Sequence, residues 1–333
     1  MTSRELRTDE HDAFERPRRR TRPRTKDRPD YSEAEIGMVV TVDRGRYQTL
    51  IEGREVTATK ARQLGRTGVI VGDRVRVVGD TSGDEGTLAR IVQVEDRVTV
   101  LRRTADDDDP YERPIVANAD QLVIVTALAD PPPRTGMIDR ILVAGFDAGL
   151  TPLLCLTKAD LASPDELVAA YDPLDVEVYV TSPGSDLGAF RTALERHRTV
   201  FVGHSGVGKS TLVNVLIPGA KRAIGAVNEV TGRGRHTSTS AIALRLPPIE
   251  PDGADGDSWV IDTPGVRSFG LSHVSRARLI SAFSDLAAFT ADCPRGCLHG
   301  EDAPECGLDA AVERGELNPV RVASFRRMIS SGQ

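Results

Sequence analysis

The chain has 333 residues, of which 39% are hydrophobic and 28% charged, with a formal net charge of −6. That length predicts two or three domains, and no apolar run approaches the roughly 18 residues of a membrane helix. The charge-dense N-terminus lacks the apolar core of a secretory signal. Four cysteines, three of them clustered near the end, point to a metal site in a reducing compartment rather than a disulfide framework, so a cytoplasmic protein without a membrane partner is expected.

The net charge hides an uneven distribution. Residues 1–30 hold ten Lys/Arg against seven Asp/Glu, and Arg16–Arg28, "RPRRRTRPRTKDR", holds eight basic residues and one acid. Prolines and the want of apolar residues preclude a packed core there, which predicts a disordered basic arm over 1–33. Clustered arginines pair with phosphates, so nucleic acid is its expected contact; a merely solvated tail is the alternative.

Residues 34–104 change character. "MVVTVD", "RYQTLIE", "REVTATK", "DRVRVVGD" and "TLARIVQVEDR" are short, alternating, β-branched segments separated by Gly and Asp turns. They predict about five antiparallel strands closing into an OB-fold, with an SH3-like barrel nearly as good a fit to this pattern. The run "ADDDDP" (Ala105–Pro110) marks an exposed acidic linker over 105–113.

From 114 to 272 strands alternate with helices, which predicts a doubly wound α/β domain. "QLVIVTAL" (Gln121–Leu128) reads as a parallel strand buried on both faces. A helix over Arg134–Ala148 is followed by the strand "PLLCL", which runs into "TKAD" (Thr157, Lys158, Ala159, Asp160). A carboxylate at Asp160 accepts hydrogen bonds from N1–H and the exocyclic amine of guanine, which adenine cannot offer, and Lys158 lies along the ring. One β-α unit later, "VTS" places Thr181 and Ser182 where a second base-closing loop projects.

The strand "TVFVG" then opens "GHSGVGKS", which fits the phosphate-loop pattern G-x-x-x-x-G-K-[ST]. Backbone N–H groups of Gly203, His204, Ser205, Gly206, Val207 and Gly208 are expected around the phosphates, with Thr211 opening the helix behind them. Lys209 reaches the β and γ phosphates as a catalytic cation, and Ser210 ligates Mg²⁺. "WVIDTPG" ends a strand in Asp-x-x-Gly, so Asp262 is expected to bind Mg²⁺ through water and the Gly265 N–H to meet the γ-phosphate. Guanine loop, phosphate loop and Asp-x-x-Gly thus occur in permuted order. Joining the usual last helix to the usual first strand takes only His197–Arg198, a tolerable link because domain ends lie close together.

The last segment, 273–333, carries "CPRGCLHGEDAPEC". Cys293, Cys297, His299 and Cys306 suffice for a tetrahedral structural zinc site in a small, mostly α-helical domain; redox-active or idle thiols are the alternatives. Cys155 reads as a buried apolar side chain. "NPVRVASFRRMI" is a basic helix that either packs on the cysteine loop or touches RNA.

Taken together, "PIVANADQ" (Pro114–Gln121), "TKAD", "GHSGVGKST", "TGRGRHTST" (Thr231–Thr239), "DTPGVRSFGL" (Asp262–Leu271) and the cysteine-rich tail resemble the circularly permuted ribosome small subunit-dependent GTPase A family, over nearly the whole chain after residue 30. The resemblance implies a multidomain protein: an N-terminal OB-fold barrel, a circularly permuted P-loop GTPase domain and a C-terminal zinc domain. It further implies a GTP hydrolase of late 30S maturation, a release or checkpoint factor stimulated by that subunit. Its expected partners are the 30S subunit with its 16S rRNA, GTP and GDP, and it is expected to act as a monomer with Mg²⁺ and one structural zinc.

Three departures stand out. Thr157 occupies the usual Asn position of the guanine motif, and the first and last gaps between the metal ligands differ slightly from the commoner spacing. Val266 follows Asp-x-x-Gly where many GTPases place a water-orienting Gln, which predicts slow unassisted hydrolysis. His236 is the candidate replacement, with a switch-loop or RNA-contacting role as its alternative. Thr237 is the switch threonine expected on Mg²⁺, with Thr239 in reserve. The missing Gln keeps a second reading open: an RNA-binding assembly protein that binds guanine nucleotide without useful turnover. An ATP-dependent kinase would leave "TKAD" without a role.

Overall fold

Alternation of buried and exposed positions shapes the first five strands: β1 (Glu35–Asp43), β2 (Arg46–Ile51), β3 (Arg54–Lys60), β4 (Arg74–Val78) and β5 (Ala89–Val94). In the computed structural model, which describes residues 30–65, 68–104, 111–220, 241–249, 257–266, 269–271, 274 and 279–331, they run in the order β1-β2-β3-β5-β4, and β4 returns to pair with β1. The β3–β5 joint is parallel and the others antiparallel. This is the closed, OB-like barrel expected. Its interior is filled by residues including Val39, Val56, Val75 and Ile91. Arg44-Gly45 and Glu52-Gly53 both have positive φ, the mirror-image turn that matches the twist of a two-residue hairpin.

The chain leaves the barrel at Arg97, whose guanidinium binds the fully buried Asp73 through two bonds of 2.6 and 2.8 Å. It then forms a hairpin absent from the sequence expectations, β6 (Val100–Arg103) against β7 (Arg113–Ala117). Residues 105–110, the core of the expected acidic linker, lie outside the described residues, as do 1–29 of the basic arm.

The α/β part follows as β8 (Gln121–Ala127), β9 (Thr151–Thr157), β10 (Glu177–Val180), β11 (Arg198–Gly203), β12 (Ile242–Arg245) and β13 (Trp259–Asp262). Helices α1 (Thr135–Asp147), α2 (Asp165–Tyr171), α3 (Gly188–Ala193) and α4 (Lys209–Leu216) connect them. The order is β10-β9-β8-β11-β13-β12, parallel except for β12 against β13. Because side chains alternate across a strand, Leu122 and Ile124 of β8 join a core with α1 and α2 on one face, and Val123 and Val125 join one with α3 and α4 on the other. Strand β11 sits centrally between β8 and β13, so the joint at His197–Arg198 restores the ordinary spatial order from a permuted chain. Strand β1 pairs with β12 at Thr41 and Ile242, making the barrel and the α/β sheet one run of eleven strands.

The C-terminal part is built from short helical pieces, Ser284–Ala287, Gly307–Glu313 and Pro319–Ser331. It shares the core of α1, with Phe283 stacked between Phe146 (4.7 Å between centroids) and Phe325 (5.2 Å). The arginines of the last helix point inward. Arg326 binds Asp309 at 2.7 and 2.8 Å, Arg321 binds Asp285 at 3.0 and 3.1 Å, and Arg327 lies 5.2 Å from the Tyr171 ring centre, 3.5 Å from the buried Asp139 of α1. Of the two roles open to this basic helix, it performs packing on the cysteine loop and on α1. Residues 34–333 form one compact unit.

Candidate functional site

The three motif-bearing strands β9, β11 and β13 end on the same edge of the sheet, where an open α/β sheet binds its ligands. β11 delivers the phosphate loop. Gly206 and Gly208 have φ of 85° and 90°, values that side chains with a Cβ rarely tolerate, and a Cβ on Gly203 would lie 2.4 Å from the Val125 carbonyl oxygen. The loop closes into α4 at Lys209, so Gly206, Val207, Gly208 and the helix start form an N–H-lined turn suited to an anion. Ser210 and Thr211 are exposed on that helix's first turn, and His204 turns its Nδ1 to the Ser205 carbonyl at 2.8 Å.

Lys209 is buried and ion-paired with Asp262, and it also donates to the Thr263 carbonyl oxygen. Thr263 donates its hydroxyl to the Phe201 carbonyl at 2.7 Å, tying the end of β13 to β11. The two groups expected to share Mg²⁺ and phosphates are therefore brought into one place. Gly265 lies against the phosphate loop: a Cβ there would sit 3.1 Å from Cα and N of Ser205. Val266 donates its N–H to the Gly203 carbonyl at 3.0 Å and is buried at 6% exposure, so its side chain belongs to the core and cannot orient water. His236, Thr237 and Thr239 lie outside the described residues.

The guanine motif stands beside the loop. The Thr157 hydroxyl donates to the Val207 carbonyl at 2.6 Å and lies 3.3 Å from that of Thr126. The residue in the usual Asn position thus spends its side chain on tethering the phosphate loop. Lys158 adopts φ 60° and donates to the Asp130 carbonyl oxygen. Ala159 N–H donates to Thr181 O at 3.1 Å, and Thr181 N–H to Leu156 O at 2.7 Å, which draws the two base loops together. Asp160 is exposed, and Ser182 N–H is capped by Ser185 Oγ at 3.1 Å. Asp130 and Thr263 were not singled out in the sequence. The available signal for the former is "DPPP" (Asp130–Pro133), two residues beyond the end of β8, a stiff loop start at a sheet's ligand edge.

At the other end of the molecule, Cys293, Cys297, His299 and Cys306 present ligand atoms all within 4.8 Å of one another. His299 Nδ1 lies 3.5, 3.5 and 3.7 Å from the sulfurs of Cys293, Cys297 and Cys306, and Cys293 Sγ lies 4.0 Å from Cys306 Sγ. Metal–sulfur bonds of about 2.3 Å and metal–nitrogen bonds of about 2.0 Å in a tetrahedron set S···N near ~3.5 Å and S···S near ~3.8 Å, so the donor set fits a zinc ion. Gly307 N–H donates to Cys293 Sγ at 3.1 Å, and a Cβ on Gly307 would clash with Phe289 O at 2.3 Å. Burial, reinforced by the Arg326 guanidinium, lowers the His299 pKa and keeps the imidazole in its neutral, ligating form. Arg326 also donates to the His299 carbonyl at 3.2 Å.

The family model for RsgA GTPase matches residues 94–272. The small ribosomal subunit biogenesis GTPase RsgA of Azotobacter vinelandii is 38% identical over 272 residues, 79% of this chain and 75% of that protein. The protein of the same name from Pseudomonas aeruginosa is 38% identical over 259 residues, 75% of this chain and 73% of its own. Among solved structures, YjeQ from Thermotoga maritima superposes with a TM-score of 0.63 at 26% identity, covering 90% of this chain and 98% of that one. YloQ, described as a circularly permuted GTPase, gives 0.61 at 23% identity over 92% and 97%, a likeness of fold.

Proposed function

The chain belongs to the RsgA GTPase family, and from that membership we propose that it hydrolyses GTP on the small ribosomal subunit as a release or checkpoint step of maturation, contacting 16S rRNA. The alternative of a guanine-nucleotide binder without turnover is not favoured, because the family model and the relatives it matches are GTPases by name. The observation that supports the reading is the Thr157–Val207 bond, which holds the "TKAD" segment beside the phosphate-loop segment.

In this reading Asp160 selects the base and Lys158 covers it, with Ala159, Thr181 and Ser182 shaping the loops around it. The N–H groups of residues 203–208 hold the phosphates, and Lys209 reaches the β and γ phosphates. Ser210, Asp262 and Thr237 would hold Mg²⁺, whose bound charge offsets that of the phosphates. With Val266 buried, water orientation falls to His236 or to a group supplied by the ribosomal subunit, which makes the unassisted rate slow. The cysteine–histidine set would hold one structural zinc. The barrel and the basic arm supply RNA contacts, and the protein works in the cytoplasm as a monomer.

The test is GTP turnover with and without purified 30S subunits. Strong stimulation is expected, and nucleotide binding with no turnover in either condition would overturn the proposal in favour of the non-hydrolysing reading.

A further inference from the structure

Downstream of Gly265 the chain is anchored twice within a few residues. Val266 bonds to Gly203 of the phosphate loop at 3.0 Å. Thr104, the fully buried residue that follows β6, exchanges two backbone bonds with Gly270, Thr104 N–H to Gly270 O at 3.2 Å and Gly270 N–H to Thr104 O at 3.3 Å. Arg140 of α1 donates Nε–H to the Phe269 carbonyl at 2.9 Å. Phe269 and Leu271 are each 2% exposed. Positions 267 and 268 alone separate Val266 from Phe269 in the chain, and a chain spans at most about 3.6 Å per residue, so the hold on Phe269 limits how far Val266 and Gly265 can move.

We propose that Arg140 is a positioning residue for γ-phosphate recognition: with the Thr104 backbone it grips Phe269–Gly270 and thereby keeps Gly265 against the phosphate loop. A guanidinium suits the task because its donors have a fixed direction and its charge strengthens the bond to a carbonyl. The neighbouring residue on α1, Asp139, faces Arg327 of the last helix, so one turn of α1 holds both the C-terminal helix and the segment after Asp-x-x-Gly. The inference rests on assigning Gly265 to the γ-phosphate. GDP lacks that group, so loosening the grip acts on GTP and spares GDP.

The experiment measures the affinities of a non-hydrolysable GTP analogue and of GDP for the full-length protein and for R140M, R140K and G265A, with thermal melts alongside. R140M keeps the apolar stem and removes the donor; the analogue should bind about three- to tenfold more weakly, with GDP affinity unchanged. R140K should fall between wild type and R140M. Should R140M not fold, R140K decides the matter by the same ratio. Equal losses for analogue and GDP, or no loss in a folded variant, overturn the inference. If G265A leaves the analogue-to-GDP preference unchanged, the assignment of Gly265 itself fails; if G265A shifts it and the Arg140 variants do not, the positioning role alone fails.

Discussion

The Thr157 hydroxyl donates to the Val207 carbonyl at 2.6 Å, so the strand that ends in the guanine motif is fastened directly to the phosphate loop. A neutral hydrogen bond of this kind contributes about 0.5–1.5 kcal/mol, and here its loss frees two loops relative to each other. T157V keeps the shape and removes the donor; GDP and GTP analogue should both bind about two- to tenfold more weakly by calorimetry. T157N, with an amide donor, should recover most of the loss. Selective loss for one nucleotide would contradict the tether.

Asp160 is exposed at the end of the same motif, and in the proposed role it accepts from the guanine edge. D160N replaces one acceptor by a donor, so the variant should favour xanthine over guanine nucleotides in competition binding. Undiminished affinity for GDP would remove Asp160 from the base-reading role.

Lys209 and Asp262 form a buried ion pair, so each stabilises the other. K209A should abolish turnover and also lower the melting temperature, because an unpaired buried carboxylate is costly. The K209A/D262A double variant should melt higher than additivity predicts, by a coupling of about 0.5–3 kcal/mol. Additive losses would mean that the pair carries no stability.

Cysteine reactivity separates the two thiol environments. Burial pushes the Cys155 thiol up to about 12, so at pH 8 it stays protonated and unreactive in the folded protein. Cys297, half-buried, should react with a thiol reagent once chelation has removed the metal, and one zinc should be released per chain; burial raises the Cys293 thiol to about 11, so it should follow more slowly. Cys155 should follow only on denaturation. Chelation should loosen the Gly307–Glu313 region while the barrel keeps its circular dichroism signal.

Motifs whose chemistry is local were readable: "GHSGVGKS", "TKAD" and "DTPG" each sit at a strand end and need only their own backbone to show their purpose. The five barrel strands were equally plain, because each alternates on a half-buried surface. What the sequence did not disclose depends on partners far along the chain. The β6–β7 hairpin is short, with Pro114 and several charges in it, so it lacks the alternation that marks a strand. Arg321, Arg326 and Arg327 spell a basic helix suited to RNA, and only the fold reveals Asp285, Asp309 and Asp139 waiting for them. Arg140 is one charge among many until Phe269 is brought beside it.

The pairing of Thr41 with Ile242 has a consequence for solubility. A terminal sheet strand presents unpaired N–H and C=O groups that template association with another chain. On the β10 side the terminal strand is only four residues long and begins with Glu177, a short and charged margin. On the other side β12 is the apolar "IALR", with Ile242, Ala243 and Leu244 all buried, and the barrel is what lies against its start. Removal of residues 1–98 would bare that margin, and the remaining fragment should self-associate in sedimentation more strongly than the intact chain at the same concentration. The barrel thus shields its neighbour from its own kind.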